Sequence, residues 1–226
     1  MIRKTILRTI VLAALAGFMT ACSHEDYEEG EGSLSYLYAD YADITIADGK
    51  VTSIITDDNA QLTLPQNLMV SEQLPPDTML RRLIHYIMTD KNTAVDIVKL
   101  TNVSVLLPHG KDEVVEMKTD PVQLTAVWMA QNKRYINLQL GLMVGNNDDK
   151  AQSQLVQVVC DSIHTQGKGA VYLTLYHDQA GMPEYYTQEM LISLPLDKLD
   201  DTITQPDTIN ITVNTYQGIV TKIFTR

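Results

Sequence analysis

The chain has 226 residues, 17 basic and 28 acidic side chains, and a net charge of −11 at pH 7 with histidine neutral. So acidic a body repels phosphate backbones and anionic headgroups, which excludes nucleic acid as a partner. The length allows one or two domains with a self-sufficient core, and the only cysteines, Cys22 and Cys160, leave no disulfide framework to read.

The first 21 residues read as an export signal. Arg3, Lys4 and Arg8 form its basic end, Ile10 to Met19 its apolar run, and Thr20 and Ala21 precede Cys22. The run is shorter than the roughly 20 residues that span a bilayer. Small residues directly before a cysteine resemble the lipobox of bacterial lipoproteins, with Met19 where leucine is more usual. The resemblance implies cleavage before Cys22 and acylation of its thiol and new amine, so that the membrane is a partner through Cys22. Cleavage would remove three basic residues and take the net charge from −11 to −14. Anchoring would then fall to the acyl chains, of which two bind stably where one is marginal. Residues 22–32, with "SHEDYEEGEG", read as a lipidated acidic tether.

Strand signals fill the remainder. "SLSYLYADYADITIADGKVTSIITDDNAQLTL" alternates in short runs, broken by the hairpin dipeptide Asp48-Gly49 and by Asp57-Asp58-Asn59. "AVDIVKLTNVSVLLP" is a further β-rich run ended by Pro108. Between them, residues 79–88 are ambiguous: Met79, Leu80, Leu83, Ile84, Ile87 and Met88 share one helical face, and periodicity alone favours helix. Asp120-Pro121 mark a boundary. After it come "VQLTAVWMA", "RYINLQLGLMV", "LVQVVCDSI", "GAVYLTLYH", "EYYTQEMLISL", "TINITVNTY" and "GIVTKIF", separated by polar connectors. Short strands at that spacing indicate a sandwich or barrel.

The order of these features resembles the NigD-like lipoproteins of Bacteroidota. The resemblance rests on Cys22, "DGKVTSIITDDNAQLTL", "RRLIHYIM" before "AVDIVKLTNVSVLL", "DPVQLTAVW", "RYINLQL", "AVYLTLYHDQAG" and the last strand pair. It implies an all-β chain: an OB-like barrel over 33–117, followed by an immunoglobulin-like or related β-sandwich over 118–226. It also implies that residues 79–88 are a strand. It carries no catalytic residues and no cofactor.

No metalloprotease, nucleophile-elbow, phosphate-loop or Cys-x-x-Cys motif occurs, so the expectation is a protein that is not an enzyme and that binds no cofactor or metal. His24, His85, His109, His164 and His177 lack zinc spacing. His164 and His177 would form a nucleophile site only if they met across strands near Cys160, whose simplest role is a small buried hydrophobe. Asn146, Asn147, Asp148 and Asp149 offer oxygens for calcium, but an acidic hairpin tip is ordinarily solvated. Trp128 is expected in the sandwich core. Tyr36, Tyr38 and Tyr41 form the candidate binding face, since tyrosine joins an apolar ring to a polar tip.

These residues point to an envelope-anchored binding module whose partner is a protein or a glycan. A hydrolase of glycan or peptide and a structural subunit assembling by strand pairing are the alternatives. Glu25, Asp26, Glu28 and Glu29 resemble the export tags of Bacteroidota surface lipoproteins, which implies the outer face of the outer membrane, with a periplasm-facing tether as the alternative. The same resemblance implies O-glycosylation at Asp-Ser/Thr tripeptides: Thr202 and Thr208 first, as loop residues, then Thr78, and last Ser162, which follows an apolar run.

Overall fold

A computed structural model describes residues 36–64, 77–89, 94–145, 153–164, 169–199 and 206–225. By contacts the chain divides into Met1–Tyr36 and Leu37–Arg226; the two β-layered parts described below both lie in the second unit.

The N-terminal part is a five-stranded sheet of β1 (Leu37–Ala47), β2 (Lys50–Thr56), β3 (Gln61–Leu62), β4 (Thr78–Met88) and β5 (Val95–Asn102), in the order β3-β2-β1-β4-β5. Asp48 and Gly49 both take positive φ, 52° and 71°, as a two-residue hairpin requires. The two sheet edges meet through a parallel bridge between Thr63 and Ala94, with the Val95 amide donating to the Thr63 carbonyl at 2.9 Å. The sheet thus closes around in the order β1-β2-β3-β5-β4, a five-stranded barrel compatible with the OB-like expectation. Ala42, Ile44, Ile46, Ile54, Ile84 and Val95 fill it.

Residues 79–88 belong to strand β4. Its helical pattern of apolar residues arises because both faces of the strand are covered. Ile84 and Tyr86 enter the barrel core, while Leu83 packs outward with Trp128.

Beyond β5 the chain makes two short strands, β6 (Ser104–Val105) and β7 (Pro108–Gly110). Then follow β8 (Gln123–Met129), β9 (Tyr135–Val144), β10 (Leu155–His164), β11 (Ala170–Asp178), β12 (Tyr186–Pro195), β13 (Thr208–Thr215) and β14 (Gly218–Thr225). They form a sandwich of a four-stranded sheet, β6-β12-β9-β8, and a five-stranded one, β14-β13-β11-β10-β7. Ile136, Leu138, Leu173, Ile192, Leu194 and Ile209 are fully buried between them. Each such side chain contributes roughly 1.5–3 kcal/mol of burial free energy. The chain crosses from one sheet to the other through β6 and β7, which staples one lateral side of the sandwich.

One expectation is corrected here, and one condition fails. Trp128 is not in the sandwich core. It pairs in register with Asn137, opposite in face to Val127 and Met129, and meets Tyr41 edge-on at 5.3 Å. His164 and His177 do not meet: they pair with Ala170 and Val156, at opposite ends of the β10–β11 hairpin. Cys160 is half-buried, packed against the sandwich core beside a bulge.

Candidate functional site

Alternation along β1 and β4 sends Tyr41, Asp43, Arg81 and Leu83 away from the barrel core, onto the outer face of β9 and β12. The guanidinium of Arg81, 2% exposed, is the centre of this junction. Its Nη2 donates to both carboxylate oxygens of Asp57, at 2.7 and 2.8 Å. Nη1 reaches Asp43 at 3.3 Å, and Nε donates to Ser193 Oγ at 3.1 Å. Asn137 receives a 3.3 Å bond from Nη2 and donates to Asp57 at 2.8 Å, while its Oδ1 accepts from Ser193 Oγ at 2.6 Å. The guanidinium lies 3.9 Å from the ring centroid of Tyr135, a cation–π contact. A buried charge is tolerated only when paired and hydrogen-bonded, and Arg81 meets both conditions.

The same burial acts on two phenols. Desolvation, then the charge of Glu189, pushes the Tyr41 hydroxyl up to about 12. Desolvation, then the neighbouring Asp43 carboxylate, pushes Tyr135 up to about 12.

Beside this network opens a cleft of about 480 Å³. Arg81, Lys133, Arg134 and Lys198 supply cations to it, against Asp43 and Asp197. Asp43 is engaged by Arg81 and, at 2.9 Å, by Arg134, and Asp197 lies 3.9 Å from the Lys198 ammonium, which leaves exposed Lys133 the more open charge. Lys133 is presented by a tight turn in which it takes φ 57°. Exposed Met79, Val105 and Leu107 give the cleft an apolar wall. Arg81, Asp43 and Tyr135, which line it, are tied to one another by the ion pair and the cation–π contact of the junction. Such a site can take a carboxylate carried next to an apolar group.

The tyrosines separate. Tyr36 and Tyr38 are exposed, 69% and 47%, and Tyr38 stacks on Tyr86 at 5.4 Å. Tyr41 is buried in the junction, so it is not part of a face with them. Ser162 is exposed at the β10 bulge, whereas Thr78 and Thr208 begin strands and are half-buried. Beside the bulge, Ser162 is the most exposed of the three, although it follows an apolar run. Thr202, Cys22 (the residue expected to be acylated), His24 and the loop oxygens of Asn146 to Asp149 lie outside the described residues. Among the described residues, no group of three His, Cys, Asp or Glu side chains could hold a metal ion. His177 is buried, its Nδ1 3.0 Å from the Asp120 carbonyl and its Nε2 3.1 Å from Gln154 Oε1.

Arg81 was not legible as a site residue. The available signal was a charged residue inside an apolar strand segment, "MLRRLIHYIM", in a chain whose strands otherwise carry few charges.

The fold defines a class: all-β proteins in which a small barrel is locked onto a β-sandwich. The family model for the NigD-like C-terminal beta sandwich domain matches residues 104–225. The chain belongs to the NigD-like family. Similar solved structures come from Bacteroides and Parabacteroides. A NigD-like immunity protein of Bacteroides caccae is 21% identical, with TM-score 0.61 over 83% of this chain and 96% of that one. A protein of unknown function from Bacteroides vulgatus is 17% identical, with TM-score 0.62 over 84% and 91%. A protein provisionally named a lipoprotein, from Bacteroides fragilis, is 12% identical, with TM-score 0.58 over 83% and 96%. At these identities the likeness is one of fold. No curated protein matches the chain.

Proposed function

We propose that the chain is a non-enzymatic binding module, anchored to the envelope through an acylated Cys22 and facing outward, whose junction cleft receives an acidic segment of another protein. The observation that carries this reading is the local charge. In a chain of net charge −11, the cleft sets four cations, Arg81, Lys133, Arg134 and Lys198, against two carboxylates, Asp43 and Asp197, beside exposed Met79, Val105 and Leu107. Complementary charge steers encounter and selects partners, and apolar contact adds affinity. The names of two structural relatives, an immunity protein and a provisional lipoprotein, fit a protein partner and a lipid anchor.

A photo-cross-linker at Leu107 in intact cells tests the cleft, with one at Val98 as control. The expected result is a discrete adduct from Leu107 alone, lost in Lys133→Glu/Lys198→Glu. An adduct that survives the double charge reversal overturns the cleft as the site.

A further inference from the structure

The sandwich is closed on one lateral side and open on the other. On the closed side β6 and β7 pair with β12 and β10 and carry the chain between the sheets. On the other side the edges are β8 and β14, and the sheets are unequal, four strands against five. Among the described residues, β8 pairs with β9 alone, apart from a bridge between Val122, just before it, and Thr215. The start of β8 lies against β13, through that bridge and the Val122 amide, which donates to the Asn214 carbonyl at 3.1 Å. This leaves β14 without a strand facing it.

The vacant place is a groove of about 680 Å³ between β8 and the β13–β14 hairpin. Leu124 and Val127 line its β8 wall, and Val220 and Lys222 its β14 wall. Val220 and Lys222 alternate with Ile219, Thr221 and Ile223, so they share the inward face of β14. Phe224, next on that face, packs against the sandwich core. Lys222 is exposed, and no carboxylate is among the described residues that line the groove.

An unpaired edge is a template for another strand, and an inward charge on an edge strand guards it against indiscriminate pairing. The charge also states what would fit. A strand beside β8 places alternate side chains over Val220 and Lys222, where apolar residues bury the groove and a carboxylate neutralises the lysine.

We propose that the β8–β14 seam accepts one extended segment of a partner polypeptide, added in the four-stranded sheet beside β8, with apolar residues alternating inward and an acidic residue facing Lys222. The site is separate from the junction cleft, with which it shares no lining residue. Backbone bonds to β8 supply affinity and the inward side chains supply selection.

The test uses the full chain in detergent and a bead-displayed library of ten-residue peptides. In these, threonine alternates with positions randomised among valine, isoleucine, phenylalanine, glutamate and lysine. The expected result is enrichment of apolar residues with one glutamate, and slowed amide exchange over Gln123–Met129 when an enriched peptide binds. Lys222→Glu should weaken that peptide about fivefold, the scale of a partly exposed ion pair, and should select lysine at the same position on re-panning. Lys222→Gln should remove the preference for either charge. Absence of enrichment, or peptides indifferent to Lys222 that leave β8 unprotected, overturns the proposal. So does a peptide-free dimer in sedimentation whose formation protects β8, because a second copy then fills the seam.

Discussion

One nitrogen of Arg81, Nη2, bridges both carboxylate oxygens of Asp57, at 2.7 and 2.8 Å, in a site where the arginine side chain is 2% exposed. Asp57 comes from the turn after β2, and Asn137 and Ser193 complete the shell from the sandwich. The barrel therefore holds the charge pair and the sandwich satisfies its remaining hydrogen-bonding capacity.

Arg81→Ala should leave Asp57 without its cation, whereas Asp43 keeps Arg134 at 2.9 Å, and cost about 3–5 kcal/mol. Urea unfolding of the variant checks this. A loss below about 1 kcal/mol would show that the junction does not depend on the ion pair.

Stability should fall on the alkaline side. The folded-state hydroxyls of Tyr41 and Tyr135 are raised to about 12 from an ordinary 10.0. Unfolded tyrosine ionises near pH 10 while the folded groups stay neutral, so their contribution is complete below pH 10 and is lost as pH rises from there to about 12. Thermal melts across pH 9 to 11.5 should show the decline, and Tyr41→Phe/Tyr135→Phe should lessen it, with Tyr86 and Tyr216, also raised by burial, carrying the remainder. An unchanged slope in the double variant would assign the decline to other groups.

Trp128, the chain's one tryptophan, should report on the junction through its contact with Tyr41. Because ion pair, hydrogen bonds and rings join the two parts, tryptophan fluorescence and far-ultraviolet dichroism should lose native signal at the same urea concentration. A fluorescence transition well ahead of the dichroism would mean that the barrel parts from the sandwich first.

Anchoring by lipid predicts that Cys22→Ala moves the protein from the detergent phase to the aqueous phase without changing its melting temperature. A variant still in the detergent phase would remove Cys22 as the anchor. Outward orientation predicts cleavage by proteinase added to intact cells, and full protection would place the protein in the periplasm.

Among the glycosylation candidates described, a bulky glycan finds the most open oxygen at Ser162, with Thr78 and Thr208 half-buried at strand starts. If the sequon operates, intact mass of protein from its native host should show added hexose-containing mass that Ser162→Ala reduces. A mass equal to polypeptide plus lipid would exclude the modification.

The sequence by itself determined the all-β class and several turns. Asp48-Gly49 was legible because few residues other than glycine, asparagine and aspartate tolerate two successive positive φ angles. The motifs that carried the family resemblance also contained Asp57, Arg81, Trp128 and Asn137, but nothing in their order showed that they meet. Tertiary structure decided which strand faces receive a second layer. Strand β4 is covered on both faces, and that erased its alternation and imitated a helix. Double coverage also buried Tyr41, drew Trp128 out of the sandwich core and enclosed Arg81, while a one-residue bulge turned Ser162 to solvent. Alternation specifies two faces, whereas the packing of distant segments determines whether each face meets water or protein.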